Sequence, residues 1–441
     1  MSLSRPQMFA MSVLVLLFSV CLATPVAADD WPQWRGPGRD GVWREEGIVE
    51  SFPIDRLEIL WQREISSGYS GPTVADGRVY VTDRVVDESE QQTERVHCFD
   101  ARNGRSLWQH DYECPYVGIS YDAGPRASVT IHDGRAYSLG TLGHMYCFEV
   151  ESGEILWKKD LFSEYNIDMP AWGITCSPLV ERECVIVQIG GSPGACLVAF
   201  DRISGIERWR ALDDDPSYSS PITIDQAGQR VVVCWTGERV VGVSPATGQL
   251  HWEYPLPPKK WVRACASPVW DGDRLLVSGF FVGSLMLRLH TDQLAVEKLW
   301  YRVGPSENET EALHVSIAEP MIQDGLIFGV DSFGQLRCLD AETGQRYWEN
   351  LEVIPQQRWS TLRLIPRRDS VWLFTELGDL VISRLSREGY REISRAKLIE
   401  PTKRQLPSRR AGVCWSHPAF ADRHVFARND KQIVCASLAD R

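Results

Sequence analysis

Three ionisable residues, Glu319, Arg363 and His417, occupy the same position in three successive repeats of this sequence. A guanidinium can hold a carboxylate with two hydrogen bonds, and it binds other anions in the same way. Charges gathered in a partly dehydrated space must be paired, because an isolated buried charge is costly. We therefore expect the three side chains to share one sector of a channel. They would form a structural ion pair with the imidazole nearby, a ligand or partner site, or, as a third interpretation, a catalytic group.

Aromatic and basic residues stand close to this position in other copies of the repeat. Alternate residues of a strand face the same side, so the residue two positions earlier shares the face of the aligned residue. Where repeats close into a ring, the loops that lead into the innermost strands meet at one mouth of the central channel, and ligands bind at such mouths. The further candidates for a ligand or partner site are Arg126, Tyr69, Tyr218, Trp415, Trp172 and Trp359. Additional residues of these loops are Tyr116, Tyr121, Trp261, Arg263 and His314.

Motifs for other chemistries are missing from the sequence. It has no GxSxG, no HExxH, no Gly-Lys-Ser phosphate loop, no CxxC and no Cys/His cluster at zinc spacing. Of its twelve cysteines, Cys98, Cys147, Cys338 and Cys435 fall at one repeat position. Equivalent positions of different repeats are not usually close enough to pair, so we expect mostly reduced, buried thiols. The formation of a single disulfide stays open as an alternative. No metal site and no catalytic residue is predicted.

The elements that must position the candidates are short repeats. The phrase "CFDARNGRSLW" (98–108) comes back as "CFEVESGEILW" (147–157) and as "CLDAETGQRYW" (338–348). Alternating apolar runs predict strands, and the Asp-Gly, Thr-Gly and Ser-Gly pairs predict turns. The closing tryptophan recurs every 43 to 52 residues, which is the period of a four-stranded propeller blade. We expect a structural role, joining neighbouring blades, for Trp61, Trp108, Trp157, Trp209, Trp252, Trp300 and Trp348.

The sequence also predicts how the blades close into a ring. Eight inner copies of the repeat are recognisable, but the last copy ends before its own outer strand. The segment "LEILWQREI" (57–65) has the pattern of an outer strand and precedes the first inner copy. The sequence therefore predicts an all-β, eight-bladed propeller of four-stranded antiparallel blades over residues 57–441, with the ring closed by an N-terminal strand. A leader segment, residues 29–56, precedes it.

The first 28 residues have the pattern of a secretory signal peptide. One Arg precedes an uncharged apolar run, and "TPVAA" ends with small residues before Asp29. We expect cleavage near Ala28 and a periplasmic or secreted protein, since no later segment is apolar enough to span a bilayer. The formal net charge of −12 disfavours a nucleic-acid partner, because phosphate binding relies on Lys and Arg.

The repeat pattern, "SP-apolar…DG…clDa.tG…W", resembles the pyrroloquinoline quinone (PQQ)-type repeat over almost all of residues 57–438. The opening "DDWPQWRGPGRDGV" (29–42) resembles the leader of secreted bacterial members. The resemblance implies an eight-bladed propeller in a family that includes quinoprotein dehydrogenases and the outer-membrane assembly scaffold BamB. The dehydrogenases are usually longer, often carry a vicinal cysteine pair, and hold Ca²⁺ with clustered oxygen ligands. This sequence has no vicinal cysteine pair, and no such ligand set can be assigned in it.

The blades take up almost the whole chain, which is closer in size to the scaffold than to the dehydrogenases. We therefore expect an exported bacterial propeller that is a non-catalytic protein-binding or assembly scaffold, with protein partners in the cell envelope and no cofactor. Because fold does not settle function, two alternatives stay open. One is a PQQ-dependent oxidoreductase that uses PQQ and Ca²⁺. The other is a propeller that binds a small molecule or a glycan.

Overall fold

The computed structural model of the protein describes residues 29–260 and 264–440. It contains eight sheets of four antiparallel strands, which follow one another along the chain as propeller blades. The predicted fold is therefore confirmed. The predicted signal peptide, residues 1–28, lies outside the described residues. Within the described ranges, no helix has the length and apolar character needed to cross a membrane.

The first four blades use their strands in chain order from the channel outward. One strand, β1 (Ile59–Glu64), precedes them. A short helix, α1 (Leu161–Tyr165), follows the second blade and was not predicted. The strands of blades 1 to 4 are β2 (Thr73–Ala75), β3 (Arg78–Val86), β4 (Gln92–Asp100), β5 (Ser106–Glu113); β6 (Thr130–His132), β7 (Arg135–Leu139), β8 (His144–Glu149), β9 (Ile155–Asp160); β10 (Leu179–Glu181), β11 (Cys184–Gly191), β12 (Ala195–Asp201), β13 (Glu207–Ala211); β14 (Ile222–Gln226), β15 (Gln229–Trp235), β16 (Arg239–Val243) and β17 (Leu250–Pro255).

The last four blades repeat this order, except that blade 8 contributes only three strands of its own. The strands of blades 5 to 8 are β18 (Val269–Asp271), β19 (Arg274–Gly279), β20 (Gly283–Leu289), β21 (Val296–Arg302); β22 (Met321–Gln323), β23 (Leu326–Val330), β24 (Leu336–Asp340), β25 (Arg346–Asn350); β26 (Leu362–Arg367), β27 (Ser370–Thr375), β28 (Asp379–Leu385), β29 (Tyr390–Lys397); β30 (Ala419–Ala421), β31 (His424–Arg428) and β32 (Gln432–Ser437).

The N-terminal strand closes the ring, as the sequence predicts. Strand β1 pairs antiparallel with β32, with Trp61 opposite Cys435 and Glu64 opposite Gln432. On the channel side, the innermost strand of blade 8, β30, packs against the innermost strand of blade 1, β2. Blade 8 is thus built from both ends of the chain, which leaves no half-finished blade with an open edge.

The hydrophobic core lies between blades and not within them. One cluster joins Tyr80 and Val96 of blade 1 to Phe148 of blade 2, and similar clusters join the following pairs of blades. A single four-stranded sheet cannot bury its faces alone, so stability comes from stacking neighbours. The eleven cysteines of the described residues are all free, and only Cys265 is not fully buried.

Most repeat tryptophans join one blade to the next by the same two contacts. In six of the seven, the indole Nε1–H donates to a backbone carbonyl of the following blade at 2.8 to 3.3 Å. The Trp108 ring also packs on Gly153, where a Cβ would lie 2.6 Å from the ring and where φ is +74°. Only glycine fits both the turn and the ring at this position. These six residues are Trp61, Trp108, Trp157, Trp209, Trp300 and Trp348, of which Trp348 alone is not fully buried.

Trp252 is the exception, and its neighbour explains why. Blade 5 has no Thr-Gly or Ser-Gly turn before its outer strand, so Trp252 lacks the usual partner. Its Nε1–H donates instead to the side-chain oxygen of Gln226 in its own blade, at 2.7 Å. The Gln226 amide nitrogen then donates to the carbonyl oxygen of Ala295 in blade 5, also at 2.7 Å. Gln226 therefore connects the two blades that the tryptophan cannot reach directly.

Candidate functional site

The loops that lead into the inner strands surround a pocket at one mouth of the channel, which we call the mouth pocket. Its volume is about 160 Å³. Of the nine predicted site residues, seven line it, and Glu319 and His417 do not. Its lining residues are Trp34, Tyr69, Tyr121, Arg126, Trp172, Thr175, Ser177, Tyr218, Ser220, Cys265, Phe280, Ser316, Ile317, Trp359, Arg363 and Trp415.

The repeat register explains most of this lining. The position two residues before the aligned residue lines the pocket in seven of the eight blades, and Thr361 of blade 7 is the exception. The period of two in a strand turns this residue toward the same channel as the aligned residue. Among the additional loop residues, Tyr121 lines the pocket, whereas Tyr116 and His314 do not. Trp261 and Arg263 lie outside the described residues.

Aromatic rings form the walls of the mouth pocket. Trp172 stacks on Tyr218 with the ring centroids 4.6 Å apart and the planes 25° apart. Tyr121 meets the Trp172 ring edge-on at 5.3 Å, and Phe280 meets Trp359 edge-on at 5.7 Å. Such walls offer flat apolar faces to a ligand and polar edges to the solvent.

Two of these wall residues have strained backbones. Tyr121 and Trp359 have φ angles of +55° and +65°, a region that bulky side chains rarely occupy. Strain of this kind persists only where the surrounding structure imposes it. The backbone N–H of Trp359 donates to the carbonyl oxygen of Ser332 at 2.5 Å, a contact that holds its loop in place.

Arg126 brings a positive charge to the pocket wall. Its guanidinium donates to the carbonyl oxygens of Gly124 at 2.6 Å, Ser120 at 3.0 Å and Tyr121 at 2.5 Å, and so fixes the loop that carries Tyr121. It also lies over the Tyr69 ring, 5.2 Å from the centroid. No carboxylate of the described residues pairs with it, so its charge acts on the pocket unneutralised.

Beneath the pocket lies a second layer, the floor cluster, made of Trp34, Arg35, Glu319, Arg363 and His417. Arg363 belongs to both layers, because it lines the mouth pocket and also lies 3.3 Å from Glu319. Glu319 and Arg363 are only 7% and 9% exposed. Burial lowers the pKa of Arg363, while the charge of Glu319 acts in the opposite direction. The two residues thus form the ion pair that their alignment suggests, but Glu319 and His417 lie deeper than the predicted channel mouth.

His417 is a neutral imidazole in this layer and is not bonded to Glu319. Its Nδ1–H donates to the carbonyl oxygen of Pro418 at 3.0 Å, which leaves Nε2 as an acceptor 3.0 Å from the Ser128 hydroxyl. Burial, together with the nearby Arg363, lowers its pKa to about 3. To reach Ser128 it passes over Gly71, where a Cβ would lie only 2.3 Å from Nε2.

The aligned residues also form a belt of hydrogen bonds around the channel. The Ser177 hydroxyl accepts from the Ser128 backbone N–H, and the Ser220 hydroxyl accepts from the Ser177 N–H, both at 2.9 Å. Glu319 Oε1 accepts from the Ser267 N–H at 3.1 Å. Each side chain therefore binds the backbone of the preceding blade, and the charged residues continue a pattern that serine begins.

The leader supplies Trp34 and Arg35 to the floor cluster and closes the channel below it, a role that the sequence did not predict. Trp34 lies edge-on to the His417 ring at 4.3 Å, and its Nε1–H donates to the Ser267 hydroxyl at 3.2 Å. The buried Arg39 donates to carbonyl oxygens of Pro221 at 2.8 Å and of Ser177 at 3.3 Å, in two different blades. Burial lowers the pKa of Arg39 to about 10, so it is still a cation at neutral pH. The mouth pocket is therefore closed on one side and open on the other.

The polar groups of the pocket suit binding better than acid–base or metal chemistry. Its described lining contains hydroxyls, two guanidiniums and one thiol, but no carboxylate and no imidazole. Burial raises the pKa of Cys265 to about 12, so it is a thiol and a poor nucleophile at neutral pH. Across the described ranges, no group of three His, Cys, Asp or Glu side chains could hold a metal. This donor set does not fit a quinone held by Ca²⁺, which requires clustered oxygen ligands.

Comparison with known proteins identifies the family to which the chain belongs. The profile of the family described as outer membrane protein assembly factor BamB matches residues 44–110 and 92–350, more than half of the sequence. The chain belongs to the PQQ-repeat propeller family. The predicted resemblance is therefore confirmed, and the propeller described above is the fold of that family.

The curated relatives are named either as dehydrogenases or as an outer membrane protein assembly factor. The 1-butanol dehydrogenase (cytochrome c) of Thauera butanivorans is 24% identical over 169 residues, 36% of this chain and 23% of the relative. The quinohemoprotein alcohol dehydrogenase ADH-IIG of Pseudomonas putida is 24% identical over 42% of this chain and 26% of its own length. The chain thus spans about a quarter of either dehydrogenase. BamB of Shewanella oneidensis is 22% identical over 69% of this chain and 76% of its own length.

Solved structures show the same fold in both kinds of protein. BamB from Moraxella catarrhalis superposes with a TM-score of 0.56 and 14% identity, covering 86% of this chain and 99% of that one. The quinohemoprotein alcohol dehydrogenase from Comamonas testosteroni gives a TM-score of 0.62 and 13% identity, covering 93% and 81%. At such identities the likeness concerns the fold alone, and function must be argued from the site.

Proposed function

We propose that this chain is an exported, non-catalytic propeller that binds a partner protein in the cell envelope at its mouth pocket. The observation that carries the proposal is the pocket itself, with aromatic walls and two arginines but no carboxylate or imidazole in its described lining. Tryptophan, tyrosine and arginine dominate the binding energy of protein interfaces when they cluster in one pocket. The family match to a protein named as an assembly factor supports the same role.

The experiment is site-specific photo-crosslinking in the native envelope. A photoreactive residue in place of Trp359, at the pocket, should give one reproducible adduct with another protein. The same residue in place of Ile206, which is exposed on the turn before the outer strand of blade 3, is the matched control and should give none. Equal labelling from both positions, or no adduct from the pocket, would contradict the proposal.

A PQQ-dependent oxidoreductase is the second candidate, because two of the matched relatives are named as dehydrogenases. The donor set of the pocket speaks against it, as described above. Purified protein mixed with PQQ and Ca²⁺ should show no bound quinone absorbance after gel filtration and no dye reduction with alcohols or sugars. Stoichiometric quinone that is retained by the wild type and lost on Trp172→Ala would support this candidate in place of the first.

A small-molecule or glycan ligand is the third candidate, and the stacked Trp172 and Tyr218 rings favour it, since sugar rings also pack on aromatic faces. The crosslinking experiment separates this candidate from the first. A glycan-binding protein would yield no protein adduct at Trp359, and free glycan would quench the tryptophan fluorescence of the pocket.

A further inference from the structure

Two residues that line the mouth pocket carry buried N–H donors that the described protein does not use. Arg363 Nε and Trp415 Nε1 are both buried and have no hydrogen-bond partner among the described residues. Both side chains line the same pocket. A buried donor without a partner is costly and needs an explanation. Other unpartnered buried groups of the described residues, many of them guanidinium Nε atoms, are spread over the molecule, so the feature to explain here is that two of them belong to one pocket. Two of them in one pocket indicate a ligand that supplies acceptor oxygens.

The charges around the pocket specify the sign of that ligand. The floor cluster contains two arginines, Arg35 and Arg363, and one carboxylate, Glu319, which is paired with Arg363. Arg39 of the leader adds another buried cation near the channel. Arg126 adds a further cation on the wall, without an ion-pair partner in the described ranges. A site with this excess of positive charge and low exposure favours an anion.

The walls specify what the anion is attached to. Four aromatic rings line the pocket, those of Trp172, Tyr218, Trp359 and Phe280. Trp172 and Tyr218 stack on each other, and Arg358 lies over Phe280 and Trp359. A bare inorganic anion would leave the pocket sides of these rings without a contact. A carboxylate next to an aromatic or large apolar group would cover the faces and satisfy the donors together.

We propose that the mouth pocket binds an acidic peptide segment of the partner protein, in which an aromatic side chain stands next to a carboxylate. The aromatic ring packs between the walls, and the carboxylate accepts hydrogen bonds from Arg363 Nε–H and Trp415 Nε1–H near the charge of Arg126. This inference rests on the proposed function and specifies the partner chemistry of the same pocket.

Isothermal titration calorimetry with short unlabelled peptides tests it. The probe is acetyl-Gly-Gly-Phe-Glu-Gly-amide, and the controls replace Phe with Ala or Glu with Gln. The wild type should bind the probe at least about tenfold more tightly than either control, since each control removes one of the two contacts. Raised salt should weaken binding of the probe and not of the Gln peptide. Equal affinity for all three peptides would overturn the inference.

Two pairs of variants locate the contact. Trp415→Phe removes the unpartnered N–H but keeps an aromatic ring, and should weaken the probe about tenfold, whereas the control Trp270→Phe should leave it unchanged, because Trp270 of blade 5 does not line the pocket. Arg126→Gln should weaken the probe, whereas Arg410→Gln should not, because Arg410 is exposed and does not line the pocket. Equal effects within either pair would overturn the assignment, and circular dichroism checks that each variant folds.

Two further outcomes distinguish a failure of this inference from a failure of the proposed function. If free 3-phenylpropanoate binds as tightly as the probe, the occupant is a small organic acid and the peptide assignment is wrong. If the Trp359 crosslink to a protein forms but none of the peptides binds preferentially, the proposed function stands and this inference alone fails.

Discussion

Glu319 Oε2 lies 3.3 Å from Arg363 Nη1, and Glu319 Oε1 accepts a hydrogen bond from the backbone N–H of Ser267. Through these contacts one carboxylate connects three consecutive blades, 5, 6 and 7. Arg363 in turn donates to the carbonyl oxygen of Trp415 in the loop before blade 8, at 2.9 Å. The ion pair therefore connects four blades at the level where the pocket ends.

Glu319→Gln should destabilise the fold. Glutamine keeps an acceptor for Ser267 but leaves the buried Arg363 without a counter-charge, which costs about 3–5 kcal/mol for a buried pair. Urea unfolding at pH 7 measures the change. Glu46→Gln is the matched control, because Glu46 pairs with Arg368 on the surface and should cost less than about 0.5 kcal/mol. Similar losses in the two variants would contradict the buried pairing.

His417 should make stability depend on pH below 6.5. Its folded pKa of about 3 lies below its ordinary value of 6.5, so the unfolded chain binds a proton that the folded chain does not. The stabilisation is complete above pH 6.5 and is lost as the pH falls toward 3. Between pH 7 and 5 the loss should be about 2 kcal/mol greater in the wild type than in His417→Gln. Parallel pH profiles of the two proteins would show that His417 is not buried in the neutral form.

Trp108→Ala should cost about 3–5 kcal/mol, because it removes a buried ring and its hydrogen bond to Val150 in the next blade. Leu156→Ala on the neighbouring outer strand is the control and should be nearly neutral, since Leu156 is exposed. Thermal unfolding compares the two. A Trp108 variant as stable as the wild type would contradict its role in joining blades.

Removing residues 29–65 should abolish cooperative unfolding. The truncation strips blade 8 of strand β1 and the channel of its leader, and it exposes the edge of β32. Gel filtration should show aggregation. Trp34→Ala is the milder companion, which should keep the blades intact and perturb the floor of the mouth pocket alone. A monomeric truncation with an unchanged melting temperature would refute the closure.

The repeat made the blades predictable. Tryptophan at a period near 48 residues, with alternating apolar runs between, marks strands whose partners are close in sequence. The residue two positions before the aligned residue was predictable for the same reason, so Tyr69, Tyr218 and Trp415 were found without any structural information.

The leader was not predictable in this way. Its contacts join residues far apart in sequence, such as Arg39 to Pro221 and Trp34 to Ser267. The repeat pattern does not predict such contacts. Once Trp34 occupies the channel, Glu319 and His417 lie beneath the pocket and not at its rim. The available signal was the presence of Trp34, Arg35 and Arg39 in a segment that has no strand pattern.

The most direct test of the account is the affinity of the protein captured by the Trp359 crosslink. Its dissociation constant should be measured against the wild type, Trp172→Ala and the control Ile206→Ala, each checked for unchanged thermal stability. The account predicts that Trp172→Ala weakens binding by about thirtyfold or more, as expected for a central aromatic contact, and that Ile206→Ala leaves it unchanged. Equal affinity of all three proteins would show that the mouth pocket is not the binding site.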